Sequence, residues 1–234
     1  MPGYKKYIFP LAIAAVIAIG GCTKGSDAPI RITQTANLNV INAVTDVNAI
    51  NFYLNGTRQN TSSAIFPGST SGYNAFAIGQ QQYQFKVDSQ SRTLLADVAL
   101  NLPKQDSSYT VVFTGLRKSN TLTTIFVKDI FTTDTSTVAS ARVRFIQASQ
   151  GTQAYDVFVG DTLAFKNQAF KNSSAFLKTG PGKKTVTVKA AGTSTVLFTT
   201  SVTVLASSYY TLFIYGQPNQ TGANALATGI ILNR

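Results

Sequence analysis

The chain repeats itself, and the repeat limits what it can fold into more than any single motif does. Residues 38–43 match 143–148 and residues 49–54 match 154–159, both at an offset of 105. Tyr109 to Gly115 matches Tyr210 to Gly216 at an offset of 101, and Leu122 to Val127 aligns with Leu226 to Ile231 at 104. Loops that lose four residues and later regain three account for the drift. Self-similarity at one long period means a folding unit built twice. The roughly two hundred residues involved suit two domains of ordinary size.

Each copy reads as strands. Gln82 to Asp88 alternates strictly, with Tyr83, Phe85 and Val87 on one face and polar groups on the other; Lys184 to Lys189 does the same in the second copy. Period two places one row against a core and the other in water. Thr, Val, Phe and Tyr suit such a pleated, half-buried surface. Asn55-Gly56, Pro67-Gly68, Gly160-Asp161, Gly180-Pro181-Gly182 and Ala191-Gly192 punctuate the pattern as turns. The spacing predicts seven or eight short strands per copy, with no helical period in either. The expected fold is therefore all-β: two tandem Ig-like β-sandwich domains over 36–135 and 141–234. Residues 136–140 form the linker, within the Thr/Ser/Asp-rich stretch from Phe131 to Ser140.

The N-terminus reads as a processing signal. Lys5 and Lys6 precede an apolar run from Ile8 to Ile19, broken only by Pro10, too short to span a bilayer as a permanent helix. Ile19-Gly20-Gly21-Cys22 then resembles a bacterial lipobox, with an aliphatic residue, two small residues and the acceptor cysteine. That resemblance implies a signal peptide over 1–21, lipidation of Cys22 and anchoring in the membrane. The polar, Gly- and Pro-containing segment to residue 35 reads as a short flexible tether. Lys24 differs from the Asp that resembles an inner-membrane retention signal. The expected location is therefore the cell envelope, as an outer membrane lipoprotein facing either the periplasm or the surface.

The repeated segments resemble the bacterial family called domain of unknown function 4397, found in secreted and lipoprotein chains. The family's opening strand ends Asn-Ala-Ser, here Val40-Ile41-Asn42-Ala43 and Phe145-Ile146-Gln147-Ala148-Ser149. Its next strand has the form Asp-Val-Tyr-Val-Asn-Gly, here residues 51–56 and 156–161. A Tyr-Thr strand closing on Gly completes the match at 109–115 and 210–216. Asn51 stands where the family has Asp, and the Pro-Asp-Ala-Pro loop is replaced in both copies. The resemblance implies a fold but no activity.

Composition excludes much chemistry. The chain has no His, no Trp and a single Cys, and all nine acidic residues are Asp. There is no His to serve as a general base or zinc ligand, no internal disulfide, and no pair of Glu carboxylates for glycoside hydrolysis. No catalytic residue, metal site or cofactor is expected. The formal charge of +11 is concentrated in the second copy. There Arg142, Arg144, Lys166, Lys171, Lys178, Lys183, Lys184, Lys189 and Arg234 face only Asp156 and Asp161. Such an excess draws in anions. Arg142, Arg144, Lys183, Lys184 and Lys189 are thus candidates for binding a polyanion, an acidic glycan or lipopolysaccharide phosphate, against the alternative of a solvated basic face that guards sheet edges. Tyr73, Tyr155, Tyr209 and Tyr215 are candidate sugar platforms, with core packing as the alternative. Asp129 with Asp134, and Asp156 with Asp161, are spaced five apart but lack a calcium-loop pattern. Asp161-Thr162-Leu163 resembles a short O-glycosylation acceptor. The expected partners are the membrane, acidic glycans or envelope proteins, and not nucleic acid. The expected function is non-enzymatic: structure, adhesion or ligand binding.

Overall fold

A tight two-residue turn follows the second strand of each copy. In the first, Asn55 and Gly56 both take positive φ, +51° and +78°, the backbone that a two-residue hairpin requires. It joins β2 (Ile50–Leu54) to β3 (Thr57–Arg58). The computed structural model describes residues 2–3, 34–60, 63–132, 139–151 and 153–234. Cys22, the signal assignment, the tether up to residue 33 and most of the expected linker lie outside the described residues.

The first copy also contains β1 (Thr35–Asn42), β4 (Thr70–Ala77), β5 (Gly79–Val87), β6 (Leu94–Leu102), β7 (Ser108–Thr114) and β8 (Thr123–Asp129). The second runs β9 (Ala141–Gln147), β10 (Tyr155–Val159), β11 (Thr162–Gln168), β12 (Leu177–Thr179), β13 (Gly182–Ala190), β14 (Val196–Val204), β15 (Tyr209–Tyr215) and β16 (Ala227–Leu232). Sheet order is β3-β2-β5-β6 and β4-β1-β7-β8 in the first copy, and β11-β10-β13-β14 and β12-β9-β15-β16 in the second. The orders correspond strand for strand. Each copy also has one parallel pair at the same place, β1 with β7 and β9 with β15. Both copies are sandwiches, with four strands in each sheet where a constant-type Ig domain has four and three.

Each sandwich closes over its own core. Leu38, Val40, Val111 and Phe113 from one sheet meet Phe52, Tyr83, Phe85 and Leu102 from the other, and Phe85 stacks on Phe113 with ring centres 4.3 Å apart. In the second copy Val143, Phe145, Leu212 and Ile214 meet Val157, Phe165, Val186 and Val188. A third apolar cluster lies between the copies, where Ile41, Val112 and Ile125 pack on Ile146, Phe213 and Ile231. The sheets containing β1 and β9 therefore lie face to face, and the unit stacks four sheets deep. This explains why β7 and β9 are buried along nearly their whole lengths. A strand covered on both sides often reads as an apolar run, as Val111 to Phe113 does in β7, whereas β9 keeps its alternation with buried arginines on the second face.

The two copies meet as near-equivalents with complementary volumes. Val112 pairs with Ile125 across β7 and β8, while Phe213 pairs with Gly229 across β15 and β16. A Cβ at Gly229 would overlap the Phe213 ring. The large ring and the missing side chain fit one another at a position where the first copy uses two middle-sized residues.

Candidate functional site

Beside the apolar contact the shared face carries a buried polar network. Arg144 Nη1 lies 2.6 Å from Asp129 Oδ1, both side chains essentially without exposure. Arg144 Nε donates to Thr211 Oγ1 at 2.7 Å and Nη2 donates to Thr110 Oγ1 at 3.1 Å. Asp129 Oδ2 accepts from Tyr73 Oη at 2.6 Å and from Thr110 Oγ1 at 2.9 Å. Asn233 Nδ2 donates to Tyr73 Oη, and Thr211 Oγ1 donates to Asn233 Oδ1. The guanidinium also lies 4.8 Å over the Phe176 ring. Burial, then the Asp129 carboxylate, push the Tyr73 hydroxyl well above its ordinary range.

This arrangement corrects the sequence expectation for two of the five candidate anion binders. Arg144 is 1% exposed and committed to Asp129; Arg142 is 8% exposed, donates to Tyr209 Oη at 2.8 Å and lies over that ring. Period two correctly puts both opposite Val143 and Phe145. The face expected to meet water is the one covered by the other sandwich. The remaining three also separate. Lys183 and Lys189 share the outer side of β13 with Thr185 and Thr187, since Val186 and Val188 point into the core. Lys189 Nζ sits 4.5 Å from the centre of the Phe158 ring. Lys184 has the opposite parity and lies near Gly180.

The candidate tyrosine platforms take the alternative reading, packing. Tyr155 and Tyr209 are buried, Tyr209 edge-on to Phe131 and Phe176. Tyr73 belongs to the buried network, and Tyr215 packs on Phe213 and the Pro67-Gly68 turn. Two of the four aspartates spaced for calcium are also occupied. Asp129 holds Arg144, and Asp156 accepts from the Asn167 and Gly192 amides at 2.7 and 2.9 Å. Those two amides hold the Asp156 carboxyl below its ordinary value. Asp134 lies outside the described residues. Among the described residues no three His, Cys, Asp or Glu side chains gather to hold a metal.

The repeated motif residues do structural work. Asn42 Oδ1 accepts the Val44 amide and Gln147 Oε1 accepts the Ser149 amide, each closing the turn after its strand. Where the second copy has Asp156, the first has Asn51, which accepts from Asn60 Nδ2 and donates to Asp88 Oδ1 at 2.8 Å.

That substitution borders a cleft of about 530 Å³ in the size range of small-ligand sites. It lies between the β2–β3 turn and the β5–β6 turn. Its walls include Asn51, Tyr53, Arg58, Asp88, Ser89, Gln90 and Arg92. Sequence reasoning missed it because Arg58, in β3, and Arg92, in the β5–β6 turn, are far apart in the sequence and in the copy of lower charge. The second copy also has a slot of about 200 Å³ between the edge strands β11 and β12, flanked by exposed Leu163 and Leu177.

The fold and these surfaces define a class: a tandem all-β sandwich protein whose repeated motif residues brace turns. The model of the family described as domain of unknown function (DUF4397) matches residues 36–150 and 141–229, and the chain belongs to that family. No curated protein sequence matches it. Among solved structures it aligns with the crystal structure of CBMbc (family CBM26) from Eubacterium rectale Amy13K in complex with maltoheptaose. That alignment covers 84% of this chain and 96% of that one at 11% identity, with a TM-score of 0.25, too low to bear on function.

Proposed function

We propose that the chain is a non-catalytic, lipid-anchored component of the outer membrane whose double sandwich serves structure, adhesion or ligand capture. The observation that carries this reading is the employment of its carboxylates. With His and Glu missing, every side-chain carboxylate is an Asp, and four of the nine are committed to structural hydrogen bonds. Asp46 accepts from the Arg117 and Lys118 amides, Asp88 from Asn51, Asp129 from Tyr73 and Thr110, and Asp156 from two backbone amides. These are braces, not poised acids. Mass spectrometry of the native protein is expected to find Cys22 acylated, and a substrate panel is expected to show no turnover. An unmodified Cys22, or turnover lost on mutating any of these aspartates, overturns the proposal.

A finer reading, capture of acidic glycan or lipopolysaccharide by the second copy, rests on the outer face of β13. Lys183 and Lys189 stand there among Thr185 and Thr187 with no carboxylate opposite Lys183, which pairs with Thr203. Retention on heparin that falls with salt, and falls further in K183Q/K189Q, is the expected result. Passage of the native protein through heparin and lipopolysaccharide columns at low salt refutes it.

A further inference from the structure

The cleft in the first copy sets two arginines against a single carboxylate. Arg58 ends β3 directly across from Tyr53. Its Nε is buried and has no hydrogen-bond partner among the described residues. A buried donor without an acceptor is rare and calls for an explanation. Arg92 reaches the same cleft from the β5–β6 turn with φ of +45°, a left-handed backbone that a long side chain occupies only at a cost. Among the described residues neither arginine forms an ion pair with Asp88, the one carboxylate in the wall, whose Oδ1 is taken by Asn51 Nδ2. Lys86, outside the wall, lies 4.6 Å over the Tyr53 ring.

The fold does not require this arrangement. In the second copy Leu163 stands across from Phe158 as Arg58 stands across from Tyr53. The turn equivalent to that of Arg92 carries Thr193 and Thr195. The arginines are therefore an addition to one copy, and to the copy with little excess charge of its own.

We infer that this cleft is a binding site for a compact oxyanion, the carboxylate of an acidic sugar or a phosphate group. A planar guanidinium presents paired N–H donors that match both. Ser89 and Gln90 in the same wall offer hydrogen bonds to neighbouring hydroxyls. The inference rests on the ligand-capture reading above but places the ligand on the other copy.

Calorimetric titration of the full chain in detergent tests it with a galacturonate oligosaccharide, its neutral galactose counterpart and inorganic phosphate. Saturable binding of at least one anion and none of the neutral sugar is expected. R58Q and R92Q should each weaken it about ten-fold or more without lowering the thermal midpoint. Galacturonate without phosphate identifies a sugar carboxylate; phosphate without galacturonate identifies a phosphate site. Should R58Q fold poorly, R92Q, on an exposed turn, carries the test alone. No saturable binding of either anion at low salt overturns the inference, as does binding unchanged in R58Q/R92Q. Binding that survives R58Q/R92Q but falls in K183Q/K189Q removes this site and leaves ligand capture standing.

Discussion

Replacing Arg144 with Ala strikes the contact between the sandwiches at its most costly point. The side chain is 1% exposed and holds Asp129, which is 4% exposed, at 2.6 Å. Its removal leaves a carboxylate enclosed by protein, neutralised only by the Tyr73 and Thr110 hydroxyls. Breaking a buried pair in this way costs about 3–5 kcal/mol, far more than an exposed pair is worth. For roughly two hundred residues that is a fall of roughly 6–20 °C in thermal midpoint. Adding D129N removes the stranded charge and keeps an acceptor for Tyr73 and Thr110, so R144A/D129N should recover most of the loss. Denaturant unfolding of the four proteins gives the coupling directly as a double-mutant cycle. A loss below about 1 kcal/mol for R144A, the range of exposed pairs, refutes the buried pair. Failure of D129N to restore stability refutes the stranded carboxylate as its cause.

Two further outcomes arise from the same packing. G229A should cost about 1–3 kcal/mol by forcing Phe213 off its seat, and G229A/F213V should regain part of that, measured as denaturation midpoints. Stability should also depend on pH at both extremes. Burial pushes Tyr83 up to about 12 from its ordinary 10.0, so its contribution is full below pH 10 and disappears as pH rises through about 12. At the other end Asp156 lies below its ordinary 3.8, so its contribution is present above that value and lost as pH falls through the folded one. Y83F should flatten the alkaline limb and D156N the acid limb; limbs unchanged in both variants would contradict these assignments.

What the sequence revealed depended on how many faces of a strand meet water. β5 and β13 have one wet face, and their alternation was readable at a glance. The duplication was readable too, down to matching sheet orders. β7 and β9 were readable as strands, but alternation says only that two faces exist, not what covers the second. Arg144 and Arg142 therefore passed for surface cations. The apolar run Val111 to Phe113, set in a strand buried from Tyr109 to Thr114, held the signal for a doubly covered sheet. The cleft was out of reach for another reason: Arg58 and Arg92 meet only through the pairing of β2 with β3 and with β5.

Scanning calorimetry of the full chain asks most directly whether the two sandwiches share a third core. If Ile41, Val112 and Ile125 are bound to Ile146, Phe213 and Ile231 as described, the repeats melt in one transition whose calorimetric and van't Hoff enthalpies agree. Two separable transitions, with that of the first sandwich unmoved by R144A in the second, would mean independent beads and contradict the account.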